Sequence, residues 1–209
     1  MIITKYNHAC LLVETEDRAA IFDPGSMSEG ILDVSKISKL DDIFITHIHQ
    51  DHFYIPLIKQ LIEKFNDVRI TSTDEVVAKL NEEGVKASSN TPSGVTFFSS
   101  PHESVESLLP TPEEIGIHYL DLLSDPGDSH SFKETKEILA LPITAPWGSS
   151  IKALNLVIDL KPKYVIPIHD WHWNDKAKEQ MYNSFEKVLA DRNIKFYKPI
   201  NGEPITIDV

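Results

Sequence analysis

Residues 47–52 read His-Ile-His-Gln-Asp-His and follow directly on the apolar run Ile43-Phe44-Ile45-Thr46. Four residues with metal-binding side chains thus fall within six positions. The apolar run is too short for a helix and fits a strand covered on both faces. A covered strand needs a sheet with other layers packed on it. The burst of ligands at its end puts the chemistry where strand ends of α/β proteins open onto a ligand-binding crevice.

The rest of the chain supplies such layers. Met1–Lys5 runs straight into strand-like sequence, and Ala9–Glu14 and Ala19–Asp23 are short apolar runs around the polar turn at residues 15–18. The second run ends in Asp23-Pro24-Gly25, a turn signal. Helices are predicted over Ile55–Phe65, over Asp74–Asn81 with Thr73 as N-cap, over Ser150–Leu160 with Ile151, Leu154 and Ile158 in line, and over Asn174–Asp191 with Met181, Phe185, Val188 and Leu189 inward. Strands are predicted over Val68–Thr71, Val95–Phe98, Gly116–Leu123, Ile138–Leu141, Tyr164–Ile168, Lys195–Tyr197 and Pro204–Ile207. Strand–helix–strand order in both halves predicts sheets covered by helices. With no linker in sight, residues 1–209 are expected to form one domain.

The formal net charge of −12 argues against nucleic acid as partner, since such binding needs Lys and Arg on phosphates. No apolar stretch approaches the roughly 20 residues of a membrane span. One cysteine, Cys10, excludes an internal disulfide and suggests a reducing compartment; without a visible signal peptide the expected location is the cytoplasm.

His47 and His49 are two apart, so on an extended segment both imidazoles face the same way and can reach one ion. Asp51 and His52 lie where the chain turns toward the next helix, in reach of a second ion. Imidazole suits zinc or iron, and carboxylate adds hard oxygen and negative charge.

The pattern H-x-H-x-D-H resembles the signature of the metallo-β-lactamase superfamily. Further features follow in that family's order: Asp23-Pro24 at a strand end, Pro101-His102-Glu103, Pro126-Gly127-Asp128-Ser129, and Pro167-Ile168-His169-Asp170. Asn7-His8-Ala9-Cys10 and the segment from Leu141 to Trp147 are similar to the UlaG-like lactonase branch. The resemblance spans almost the whole chain. It implies an α/β fold, an αβ/βα sandwich of two mixed sheets flanked by helices, with metals at one edge.

The same resemblance implies two divalent ions, zinc first, with manganese or iron as alternatives. One ion takes His47, His49 and His102; the other takes Asp51, His52 and His169; Asp128 bridges them. Around Asp128 and His102 stand competing groups, Asp121, Asp125, His118 and His130, and Gly127 favours Asp128 because a backbone without Cβ approaches a ligand closely. Asp23 is implied to orient a ligand histidine through its ring N–H. A bridging hydroxide, available because a metal lowers the pKa of bound water to about 7, then attacks the substrate. Asp51 is implied either to handle the proton afterwards or to serve purely as a ligand. Two divalent ions against Asp51, Asp128 and one hydroxide leave a net positive pocket, which favours a small anionic lactone, ester or phosphodiester.

Several residues admit two readings. His8 either contacts substrate or the metal edge, or packs and hydrogen-bonds behind the site, and His172 either lines the pocket or caps the following helix. Trp147, Trp171 and Trp173 form an aromatic wall or fill core. Cys10 reads as a small buried hydrophobe, and the acidic stretch Glu103–Glu114 as a solvated loop. Competing functions are a di-iron redox protein, a nuclease and a non-catalytic metal-binding module. The absence of an appended domain, of a basic surface and of further cysteines weighs against the first two, and the open ligand set against the third.

Overall fold

A computed structural model describes residues 1–104 and 110–209. The chain falls into two units, residues 1–93 with 200–209, and residues 94–199. Each carries a six-stranded mixed sheet with helices, the architecture expected of the sequence.

In the first unit β1 (Ile2–Lys5), β2 (Leu11–Glu14), β3 (Ala19–Phe22), β4 (Asp42–Phe44) and β5 (Arg69–Thr71) run in order across the sheet, with β12 (Pro204–Thr206) outside β1. Pairing is antiparallel from β12 to β3 and parallel from β3 to β5. The residues of β3 and β4 are buried without a polar-out alternation, as a covered strand requires. α1 (Ile55–Lys64) buries Leu57, Ile58 and Leu61, and α2 (Asp74–Glu82) starts on the Thr73 side chain, which accepts from Val76 N. Their apolar faces join Leu12, Ile21, Ile43 and Ile70 in one core.

The second unit repeats the plan. β6 (Val95–Phe98), β7 (Gly116–Tyr119) and β8 (Leu123–Asp125) are antiparallel; β8, β9 (Ile138–Pro142), β10 (Tyr164–Ile168) and β11 (Lys195–Phe196) are parallel. α3 (Ser150–Leu160) and α4 (Asp175–Ala190) are capped by Ser149 and Asn174 and pack Ala153, Val157, Tyr182, Phe185 and Leu189 against Leu139, Leu141 and Val165.

Two expectations need correction. The predicted strand Gly116–Leu123 is a hairpin: Leu120 and Asp121 both adopt left-handed backbone (φ 53° and 56°), and the chain reverses into β8. On α3 Leu154 and Ile158 pack half-buried on the core as expected, but Ala153 and Val157 are the buried residues and Ile151 is 74% exposed. Among the described residues no helix is long and apolar enough to cross a membrane.

Candidate metal centre

In the first unit the chain leaves β4 through Ile45 and Thr46 and enters a series of bends rather than the extended segment expected. The two imidazoles still meet, with His47 Nε2 3.1 Å from His49 Nδ1. Thr46 explains the choice of nitrogens. Its hydroxyl donates to Asp23 Oδ2 (2.8 Å), so it is left to accept from His47 Nδ1 (3.0 Å). That favours the His47 proton on Nδ1 and turns Nε2 toward His49.

Asp23 organises the same loop from behind. It follows β3 in left-handed backbone (φ 43°) and is fully buried. Its Oδ1 accepts from Thr46 N (2.7 Å), and its Oδ2 lies 2.7 Å from His52 Nδ1. A proton on His52 Nδ1 turns Nε2 outward, where it lies 4.0 Å from Asp51 Oδ2. Gly25 completes the support: a Cβ there would fall 1.7 Å from the carbonyl oxygen of Asp51. Backbone bonds from Ser26 N to Gln50 O and from Tyr54 N to Pro24 O tie the two loops together. His8 is fully buried, with Nε2 3.0 Å from Asp51 Oδ2. His47 and His52 are fully buried, whereas the Asp51 side chain keeps 25% exposure.

In the second unit three loops converge on Asp128. Its Oδ2 lies 3.1 Å from His169 Nε2 and 3.8 Å from His102 Nε2, and accepts from the Trp147 indole N–H at 3.2 Å. His169 ends β10 in left-handed backbone (φ 59°) and donates from Nδ1 to Thr144 O (2.9 Å), leaving Nε2 toward Asp128. Asp170, next in the chain, is buried and accepts from the Tyr182 hydroxyl, with Lys178 Nζ at 3.3 Å; this holds the strand end to α4. Burial, and then Asp170, push the Tyr182 phenol well above its usual range.

Of the competitors named from sequence, none of the other four joins this cluster. Asp121 is exposed and paired with Lys136, and Asp125 accepts from Gly127 N in the turn. His118 stacks on Phe98 at 4.2 Å and bonds Ser124, and burial lowers its pKa. His130 bonds Pro142 O and backs the Trp147 ring at 5.0 Å; burial lowers its pKa too. His172 is exposed, 3.5 Å from the Thr144 hydroxyl, with its pKa lowered by burial and by His169. Trp171 is 46% exposed, and Trp173 packs on the core of this unit. Cys10 is buried, and burial pushes its thiol up to about 12 against a Ser28 hydrogen bond, which makes it inert near neutral pH.

The acidic loop is not merely solvated. Glu103 accepts from His130 N (3.0 Å), Ser131 Oγ and Lys152 Nζ, and Glu114 accepts from Asp128 N (3.0 Å). Both pin the loop that carries Asp128. Residues 105–109 of that stretch lie outside the described residues. Thr46, Glu103 and Glu114 escaped sequence reasoning. Thr46 had one signal, its place between the strand and the first histidine; the two glutamates had none.

Residues 3–169 match the metallo-β-lactamase superfamily model. Protein Rv0786c of Mycobacterium tuberculosis is 28% identical over 180 residues, covering 81% of this chain and 84% of that one. A UPF0173 metal-dependent hydrolase of Ignicoccus hospitalis is 24% identical, covering 91% and 86%. Igni18, a metallo hydrolase from the same archaeon whose structure is solved, superposes with a TM-score of 0.73 at 19% identity over 100% of this chain and 98% of its own, a likeness of fold. The match runs through both clusters of histidine and aspartate, from His47 to His169, and on that footing the chain belongs to the metallo-β-lactamase superfamily.

Proposed function

We propose that the protein is a metal-dependent hydrolase, and that the superfamily's two-metal ligand set is met here by His47, His49 and His102 for one ion, by Asp51, His52 and His169 for the other, and by Asp128 as the shared carboxylate. The observation that carries this reading is the approach of His47 Nε2 and His49 Nδ1 to 3.1 Å, with the His47 proton directed away by Thr46. Two imidazole nitrogens that close, on buried or half-buried rings, suit a cation between them. The same logic recurs at His52 and at His169, where Asp23 and Thr144 O take the opposite ring nitrogen.

When bound, two divalent ions supply a water acidified to a pKa of about 7 and polarise the substrate oxygen. The chain's own residues do the rest. Asp23 and Thr46 hold the ligand nitrogens in one tautomer. Trp147 fixes the Asp128 carboxylate by donating to Oδ2. Asp51, the carboxylate of its loop with solvent access, is the proton carrier to the leaving group. The substrate is a small anionic molecule with a lactone, ester or phosphodiester bond, and a UlaG-like lactone is the first to try. Zinc is the first metal to try, with manganese and iron next.

The test pairs metal analysis of the purified protein with turnover on lactone, ester, amide and phosphodiester panels. Two ions per chain and hydrolysis that drops about 100-fold or more in Asp51→Ala support the proposal. Full metal loading with no turnover on any panel defeats it. An iron-dependent visible spectrum with oxygen consumption would favour a redox function instead.

A further inference from the structure

Asp51 and His52 have a further imidazole beside them. His8 reaches Asp51 from the turn between β1 and β2. Its ring is fully buried, and Nε2 sits 3.0 Å from Asp51 Oδ2. That oxygen is also the one that lies 4.0 Å from His52 Nε2. One ligand atom from each of His8, Asp51 and His52 lies within 4.8 Å of the other two. Two ligands of one ion, each about 2.1 Å from it and about 90–110° apart, are separated by roughly 3.0–3.4 Å. The His8–Asp51 spacing falls in that range, and His52 is a small movement away.

The turn is built to hold this ring in place. Asn7 and His8 are both in left-handed backbone (φ 66° and 44°), closed by Tyr6 N to Cys10 O and Cys10 N to Asn7 O. The Asn7 side chain donates to Met27 O, and its backbone N–H donates to Asn201 Oδ1. In residues 1–93 and 200–209, the non-glycine residues with such backbone are Asn7, His8 and Asp23. These left-handed positions thus lie in the two turns whose side chains meet Asp51 and His52, as strained backbone often does at functional sites.

We propose that His8 is a further ligand of the ion held by Asp51 and His52. The proposal rests on the two-metal reading above. It gives that ion five protein ligands, the superfamily's four and His8, and so shifts the position toward divalent ions that accept five or six donors, such as manganese or iron, over strictly tetrahedral zinc.

Co2+ titration followed by visible absorption, with metal analysis alongside, tests it on the wild-type chain, His8→Ala and His8→Gln. Glutamine keeps an N–H donor for Asp51 and much of the volume, so it remains usable should alanine fail to fold. Loss of an orienting partner costs about 10–100-fold in metal affinity, so a ligand role predicts a second Co2+ bound about 100-fold or more weakly in both variants. The visible band of that ion should also intensify as its coordination number falls, and added imidazole should restore the wild-type spectrum in His8→Ala. Two Co2+ ions bound by His8→Gln with wild-type affinity and spectrum overturn the proposal while leaving the two-metal reading intact. A wild-type chain that takes up fewer than two ions defeats the two-metal reading, and the proposal with it.

Discussion

Asp23 and Asp128 occupy equivalent stations in two similarly built sheets. Asp23 follows β3 and Asp128 follows β8, each the strand at which antiparallel pairing gives way to parallel. Their side chains do different work. Asp23 is sealed in and takes hydrogen bonds from Thr46 N, the Thr46 hydroxyl and His52 Nδ1. Asp128 faces two imidazole nitrogens and the Trp147 indole, while its loop is pinned through its backbone, by Glu114 at the N–H and by Glu103 N at the carbonyl. The first carboxylate braces the loop of His47 and His52, and under the proposed two-metal reading it would act on the metal through His52. The second can be lost without undoing the loop that carries it. A strand end at a topological switch supplies the place; the following residues decide the role.

The largest difference between them should appear on substitution. Asp23→Ala leaves three buried donors without their acceptor and is expected to cost about 3–5 kcal/mol in urea unfolding. Asp128→Ala should keep metal-free stability within about 1 kcal/mol of wild type yet fail to load its full metal complement. Equal destabilisation by the two would erase the distinction. Gly25→Ala comes next. Its Cβ would strike the Asp51 carbonyl at 1.7 Å, so a backbone shift costing about 3 kcal/mol is expected, with weakened metal uptake as the second readout.

Trp147→Phe probes the other side more gently. It removes one N–H donor from Asp128 and should cost about 1 kcal/mol, with the fold unchanged by circular dichroism and turnover reduced. The smallest effect is a pH slope. His118 is held neutral by burial, so its folded pKa lies below its ordinary value of about 6.5. The unfolded chain then binds more protons than the folded one below that value. This contribution is complete above about pH 6.5 and is lost as pH falls toward the folded pKa. Unfolding of metal-free protein across that window should show a shallower slope in His118→Gln. An unchanged slope would assign the acid sensitivity to other groups.

Much of this was legible in the sequence because it is local. The four predicted helices, the N-cap Thr73 and the six-residue ligand segment depend on neighbours a few positions away; the N-cap role of Asn174, read as the first helical residue, did not show. What was not legible depends on backbone conformation or on distant partners. Leu120 and Asp121 carry no glycine or asparagine to announce a left-handed turn, so the hairpin read as one strand. Ile151 fits a helical stripe, but the face of α3 that packs inward centres on Ala153 and Val157. Asp121, Asp125 and Asp128 are equivalent as letters, and only the turn at Pro126-Gly127 directs one of them toward His102 and His169. Membership of the superfamily followed from motif order; the roles of Thr46, Glu103 and Glu114 needed coordinates.

Gly25 has a consequence for how such a chain can be altered by recombination. Because its missing side chain is filled by the Asp51 backbone, residues 23–26 and 46–54 form one heritable piece despite the distance between them in sequence. A crossover placed between them joins a ligand loop to a support it was not shaped against. Chimeras meant to change substrate choice should keep both segments from one parent.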